Sequence, residues 1–339
     1  MPLKAKLKAF ATSIGLNYFG VTSAASIDLL PGARSVICVA WPTATPPKPP
    51  TSPGGTGYVA RYAWGDDYHV ALREKLFELA LFLQTLDPDT AYHICVDNNP
   101  LPEKALASRA GLGWLGRNSL LIVPQVGSWV MLGEILTTTM LEPDSPCSHS
   151  GCGSCRRCID ACPTKVLSAP SPNWKRCLSY VTQMRGVIPL SLRPLLGQRI
   201  WGCDTCQAVC PANHAANETS FRPPVTTDVA WPNLLELLNM SSDAFAERFG
   251  NSAINWRGKN VLQRNAAIAL GNWGDPIAVP ALINNLDSHA SPLVRGACAW
   301  SLGQISTNQA LASLRRASAQ EKHPQVLVEI ATALHVPSC

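Results

Sequence analysis

The sequence is poor in charge and has no long apolar run. Only 15% of its 339 residues are Asp, Glu, Lys or Arg, and the formal net charge is +5. The 46% apolar content is enough to bury real cores and too high for a disordered chain, and the length allows two or three domains. No stretch of about eighteen apolar residues occurs, so no membrane-spanning helix is expected. Nothing of signal-peptide type follows Met1-Pro2-Leu3-Lys4-Ala5-Lys6-Leu7-Lys8, which makes the cytoplasm the expected compartment. No coiled-coil repeat or self-complementary segment is evident, and a monomer is expected.

Against these absences stand thirteen cysteines. An odd number, closely spaced and without an export signal, favours metal ligation over disulfides. Cys152-x-x-Cys155-x-x-Cys158-x-x-x-Cys162-Pro163 is the run found in bacterial two-cluster ferredoxins. Its first three thiolates cap one 4Fe–4S cube, and the fourth, ahead of proline, ligates the other. Structural zinc uses paired two-cysteine knuckles instead. The second motif, Cys203-x-x-Cys206-x-x-x-Cys210-Pro211, lacks an opening ligand because Ile200 stands in that place. Crossed ligation then gives Cys152, Cys155, Cys158 and Cys210 to one cluster. Cys162, Cys203 and Cys206 go to the other and need a fourth partner. Cys177, between the motifs, is favoured for that place, with Cys147 as its rival. Cys38 and Cys95 sit in strand patterns and read as buried small apolar residues. Two adjacent clusters make a relay for one electron at a time.

The rest of the chain divides into three stretches. Helices expected over 3–16, 67–85 and 102–111 alternate with short strands at 17–22, 35–41, 92–96, 119–123 and 128–137, an α/β pattern over residues 1–140. A Pro- and Gly-rich loop, Pro42 to Gly57, interrupts them. Residues 141–225 hold the cysteine motifs and lack long periodic segments. Residues 226–339 are helical, and Pro292, Val294, Ala299 and Leu302 recur 32 residues later as Pro324, Val326, Ala331 and Leu334. The same step links Leu302-Gly303 to Leu270-Gly271, which predicts an α-solenoid of HEAT-like repeats.

Basic charge collects locally. No acidic residue lies between Asp160 and Asp204, a stretch with Lys165, Lys175, Arg176, Arg185, Arg193 and Arg199. A second acid-free stretch, 248–274, carries Arg248, Arg257, Lys259 and Arg264, with Trp256 alongside. Single-sign patches of this kind attract polyanions even at modest net charge.

Two further strings look chemical. One runs from Tyr58 to His69. The other runs from Asp97 through Lys104 to Arg117-Asn118 and contains Gly111, Gly113 and Gly116. Asp97, at a strand end before a proline turn, is placed to act as an acid or to cap the next helix. His69 reads as a satisfied, partly buried histidine.

Several strings together resemble the epoxyqueuosine reductase family, which completes queuosine in tRNA. They are Ala60-Arg61-Tyr62-Ala63 with Asp67-Tyr68-His69, Arg109-Ala110-Gly111-Leu112-Gly113-Trp114, Gly133-Glu134-Ile135-Leu136-Thr137, Trp201-Gly202-Cys203-Asp204-x-Cys206-Gln207-x-Val209-Cys210-Pro211, and Arg264-Asn265-Ala266-Ala267-Ile268-Ala269-Leu270-Gly271. The resemblance covers almost the whole chain. It implies a flavin-reductase-like cobalamin domain over 1–140, a ferredoxin-like domain with two 4Fe–4S clusters over 141–225, and a HEAT-like domain over 226–339 that helps hold tRNA.

It further implies cobalamin contacts from Arg61, Tyr62, Asp97, Lys104, Trp114 and Asn118, an external electron donor, and Asp97 as proton donor with a raised pKa. No segment that ligates cobalt through histidine is evident, as the family leads one to expect. Two departures from the family pattern are visible: Asn98-Asn99 follow Asp97 in place of a small residue and glycine, and Arg117 replaces a common lysine. The alternatives are a reductive-dehalogenase-like enzyme, against which the missing twin-arginine signal counts, and a plain electron carrier.

Overall fold

The run Ser35–Pro42 forms a strand in which every residue is buried, the burial expected of a central strand covered on both faces. It pairs antiparallel with Tyr18–Ser23 on one side and with Val130–Thr137 on the other. Val130–Thr137 in turn pairs antiparallel with Tyr92–Cys95, closing a four-stranded sheet. The helix Tyr68–Leu86 lies close on one face. At Gly133 a Cβ would come within 2.7 Å of Leu76, which is why glycine stands mid-strand there. Alternation sends the neighbouring Glu134 to the opposite face, where the helix Glu103–Arg109 packs. The helix Leu3–Ser13 rests on Tyr68–Leu86 through Phe10 and Phe82, stacked at 4.2 Å.

This computed structural model describes all residues except 26, 44–53, 98, 149–150, 170, 214–224, 226 and 336–339. The sheet and its helices belong to one compact unit, Met1–Pro46, Asp66–Cys162 and Thr205–Pro224. The expected strands over 17–22, 35–41, 92–96 and 128–137 appear with small shifts at their ends. The strand expected over 119–123 shortens to Leu121–Ile122, paired with Trp114–Leu115 in a small hairpin. Most of the expected loop from Pro42 to Gly57 lies outside the described residues.

The second unit comprises Pro47–Gly65, Pro163–Asp204 and Val225–Cys339. Its helical part repeats in space as it does in sequence. A Cβ on Gly271 would come within 2.7 Å of Ser301, and 32 residues later a Cβ on Gly303 would come within 2.7 Å of Ala333. The helices Lys259–Trp273, Pro292–Ile305 and Pro324–Leu334 thus stack through matching close approaches, and Val279–Ser288 and Asn308–Gln320 alternate with them. The two-residue strand Tyr58–Val59 pairs parallel with Arg199–Trp201, a pairing too short to register as a period in the sequence.

Two of the basic residues counted above turn inward. Arg193 is 2% exposed and forms a bidentate pair with buried Glu329, at 2.8 and 2.5 Å. Arg264 is 1% exposed and donates to the carbonyls of Thr182, Met184 and Gly186. Both hold the helical repeats to the 182–193 segment of the same unit and are removed from any surface patch.

Candidate redox and proton-transfer site

Asp97 follows the strand Tyr92–Cys95 with φ +52°, the left-handed region that non-glycine residues rarely occupy. Its side chain meets the start of the helix Tyr68–Leu86. The Tyr68 hydroxyl donates to Asp97 Oδ2 at 2.6 Å, and His69 Nε2 lies 3.3 Å from the same oxygen. On the other edge of the imidazole, Nδ1 lies 2.6 Å from Asp67 Oδ1, which also caps the helix by accepting from the His69 amide. Imidazole between two carboxylates favours its charged form: the bond to Asp97 first, then Asp67, raise the His69 pKa. The bond from His69, with that from Tyr68, lowers the pKa of Asp97.

Two expectations are corrected here. Asp97 does not have the raised pKa expected of a shielded donor, because its side chain is 59% exposed and its oxygen is held by two donors. Nor does Asp97 cap the next helix, whose N-cap is Pro102. His69 is partly buried with both ring nitrogens partnered, as expected. The two shifts, upward for His69 and downward for Asp97, both favour the charged pair.

Beneath this loop a second carboxyl lies wholly buried. Glu134 is 0% exposed, paired across the sheet with Cys38 and Cys95. Burial first, then the facing Glu103 carboxyl, pushes its pKa up to about 9, so it is neutral near pH 7. Glu103 is itself pushed up to about 7, chiefly by burial. The two thiols are buried, as their strand pattern implies, and both are raised by burial and by Glu134. The sequence signal for Glu134 is plain in hindsight: one carboxyl in the otherwise apolar run Val130–Thr137.

Lys104 Nζ donates to the Ser119 carbonyl at 2.8 Å, tying the Glu103–Arg109 helix to the Trp114–Ile122 hairpin. On that hairpin Asn118 is 6% exposed; its Oδ1 accepts from Leu120, while its buried Nδ2 makes no hydrogen bond. Arg117 reaches out of the hairpin to donate to the Gly153 carbonyl at 3.0 Å, in the loop between Cys152 and Cys155. The first unit therefore gathers Asp97, Lys104, Trp114 and Asn118 and links their hairpin to the first cysteine loop. Cys158 is raised by burial and by Cys152 and Cys210; Cys210 is raised by burial and by Cys152 and Cys155. Cys152 thus lies within electrostatic reach of Cys158 and Cys210, and Cys155 within reach of Cys210, although among the described residues no three such side chains stand close enough to close a metal site. Cys147, Cys162 and Cys206 also lie in this unit.

Arg61 and Tyr62 lie in the second unit, with Cys177 and Cys203. Asp204 accepts from the Tyr58 hydroxyl at 2.8 Å and from the Arg61 amide at 2.7 Å. Gly202, at φ +68°, leaves no room for a Cβ against Ala60 and Tyr62. The Arg61 guanidinium is buried, which lowers its pKa to about 10 and leaves it charged at neutral pH. The Tyr58–Tyr62 segment is thereby packed onto the residues flanking Cys203.

On the same unit Trp256 is 57% exposed, and the Arg257 guanidinium stacks 3.5 Å from its ring centre. Arg185 is close enough to depress Arg257 further, and Tyr180 and Trp174 are also exposed. Lys175 and Arg176 are exposed beside Trp174. Aromatic faces interleaved with guanidinium groups suit unpaired bases and phosphates.

Neighbouring thiols in the two-cluster spacing and a carboxylate–imidazole–phenol group in one unit are the parts of an iron–sulfur oxidoreductase that couples electrons to protons. Family models agree. Residues 151–213 match the "4Fe-4S double cluster binding domain", 25–98 match "Epoxyqueuosine reductase QueG", and 257–335 match "HEAT repeats". An epoxyqueuosine reductase of Listeria monocytogenes is 39% identical over 97% of this chain and 96% of its own. A crystal structure of an epoxyqueuosine reductase with an epoxyqueuosine-modified tRNA-Tyr stem loop superimposes with TM-score 0.90 at 34% identity, covering 98% of both chains. A Bacillus subtilis epoxyqueuosine reductase, described with its catalytic aspartate loop swung out of the active site, superimposes with TM-score 0.91 at 34% identity over the same shares. The chain belongs to the epoxyqueuosine reductase family. The HEAT-like solenoid and the two-cluster reading are borne out, and the dehalogenase-like and plain electron-carrier alternatives give way.

Proposed function

We propose that this protein reduces epoxyqueuosine to queuosine in tRNA, drawing electrons one at a time from an external donor through two 4Fe–4S clusters. In this reading residues 1–140 hold cobalamin, 141–225 the clusters and 226–339 the helical repeats. Cys152, Cys155, Cys158 and Cys210 ligate one cluster; Cys162, Cys177, Cys203 and Cys206 ligate the other. The observation that carries the proposal is the proximity of Cys152, Cys155, Cys158 and Cys210 within the unit that also holds the Asp97–His69 pair.

Opening the epoxide and expelling its oxygen as water takes up two electrons and two protons. When bound, cobalamin supplies a reduced cobalt centre that delivers as a pair the electrons gathered singly. The chain's residues fit such a group: Asn118 Nδ2 is a buried donor with no protein acceptor, next to the Trp114 hairpin, and an amide-rich macrocycle provides acceptors. Lys104, Trp114 and Asn118, with Arg61, Tyr62 and Asp97, would hold it. Asp97 presents an exposed carboxyl oxygen, and His69 holds the proton behind it. An alkoxide leaves poorly until protonated, and Asp97 delivers that proton while His69 resupplies it. The patch formed by exposed Arg185 and Trp256 with partly buried Arg257 receives the RNA. No helix among the described residues is long and apolar enough to cross a membrane. Incubating reduced protein and cobalamin with epoxyqueuosine-containing tRNA, followed by nucleoside mass analysis, tests the reading.

A further inference from the structure

Asn99 carries three hydrogen bonds that tie the Asp97 loop down. Its Nδ2 donates to the Asp97 carbonyl at 2.6 Å and to Glu103 Oε1 at 2.8 Å. Its Oδ1 accepts from the Leu101 amide at 2.7 Å. The amide orientation is forced, because an N–H can only donate and a carbonyl can only accept. Asp97 is thus held from two sides. Tyr68 and His69 grip its side chain from one helix; Asn99 grips its main chain and fastens it to the first residue of another. The second grip matters because Asp97 sits in the left-handed region, a conformation that persists only where the surroundings impose it. Glu103 in turn is fixed by its place in the helix Glu103–Arg109, against Glu134 of the sheet.

We propose that Asn99 is a positioning residue: a latch between the Asp97 backbone and Glu103 that keeps the Asp97 carboxyl aimed for proton delivery. The proposal rests on Asp97 being the donor. Removing the latch leaves the residues for RNA and the cluster ligands untouched and lets Asp97 sample other backbone conformations. The loss falls on the chemical step and not on substrate binding. Misplacing a reacting group by about 1 Å costs up to ~100-fold in rate, and loosening it costs less.

The test compares full-length, cluster- and cobalamin-loaded wild type with Asn99→Ala, Asn99→Asp and Asp97→Asn. It measures single-turnover rate and KM for epoxyqueuosine tRNA, together with amide hydrogen exchange of the 97–101 loop. Asn99→Ala should lower the single-turnover rate about tenfold at unchanged KM and raise exchange at Leu101, which loses its acceptor. Asn99→Asp keeps that acceptor but loses both donor bonds and sets a carboxylate against Glu103. It should protect Leu101 yet slow turnover as much as Asn99→Ala. Wild-type turnover and wild-type Leu101 exchange in Asn99→Ala would overturn the latch, and so would slowed turnover with Leu101 exchange unaltered. Full turnover by Asp97→Asn would instead defeat the donor assignment, a failure read from a different variant while the exchange data still judge the latch.

Discussion

Tyr68 and His69, adjacent at the start of one helix, converge on a single oxygen of Asp97, the first donating at 2.6 Å and the second lying at 3.3 Å. This relationship sets the charge state of the site. The contact lowers the pKa of Asp97 and raises that of His69, which favours a proton on His69, one hydrogen bond behind Asp97. The proton inventory of the reaction therefore depends on two side chains acting together.

The first prediction concerns pH. The pair is intact above the lowered pKa of Asp97 and below the raised pKa of His69. Its contribution to stability is lost as pH falls through the first value and as pH rises through the second. Turnover should fall on the alkaline side as His69 loses its proton, at a pH above the ordinary histidine value of about 6.5. His69→Gln should abolish that alkaline limb and lower the plateau. A pH–rate profile of the variant that keeps the wild-type alkaline limb would assign it to another group.

The buried carboxyl of Glu134 gives the second. With its folded-state pKa pushed up to about 9, the native protein keeps a proton that the unfolded chain releases near the ordinary value of about 4.3. Wild-type stability should therefore decline as pH rises from about 5 to about 8, and Glu134→Gln should flatten that decline. Thermal unfolding at the two pH values checks it: the variant's advantage in Tm should grow with pH.

The third addresses RNA. Trp256→Ala should weaken tRNA binding by about 5- to 150-fold, since base–aromatic stacking contributes about 1–3 kcal/mol. Arg257→Ala should weaken binding and lower the salt slope by about one. The rate at saturating tRNA should stay near wild type for both. Filter binding across a salt series measures this, and unchanged affinity would move the RNA to another face.

Much of the architecture was legible because it rests on periodicity. The 32-residue repeat of Leu270-Gly271 and Leu302-Gly303 marks the helix contacts where Ser301 and Ala333 come too close for a Cβ. The ferredoxin-type run assigned Cys152, Cys155, Cys158 and Cys210 to one cluster, and these thiols lie near one another in the fold. What stayed hidden was of another kind. Arg193 and Arg264 counted as surface charge, because a tally along the chain does not show guanidinium groups turned inward onto Glu329 and three backbone carbonyls. His69 read rightly as satisfied and partly buried, but its partner Asp97 lies far along the chain and meets it only once the strand and helix are packed. Arg117, noted only as a departure, hydrogen-bonds the cysteine loop at Gly153. Asn99 holds the Asp97 loop, and Asn98 lies outside the described residues.

The central claim is that electrons from the clusters and a proton through Asp97 meet at the epoxide. The most direct measurement is queuosine formation in a single turnover by reduced, cobalamin-loaded protein, wild type against Asp97→Asn, with iron determined on both. Wild type should convert epoxyqueuosine tRNA and carry about eight iron atoms per chain. Asp97→Asn should match it in iron and corrinoid absorption and be slower by at least about a hundredfold. Conversion at the wild-type rate by Asp97→Asn, or a fully loaded wild type that leaves the epoxide intact, would contradict the account.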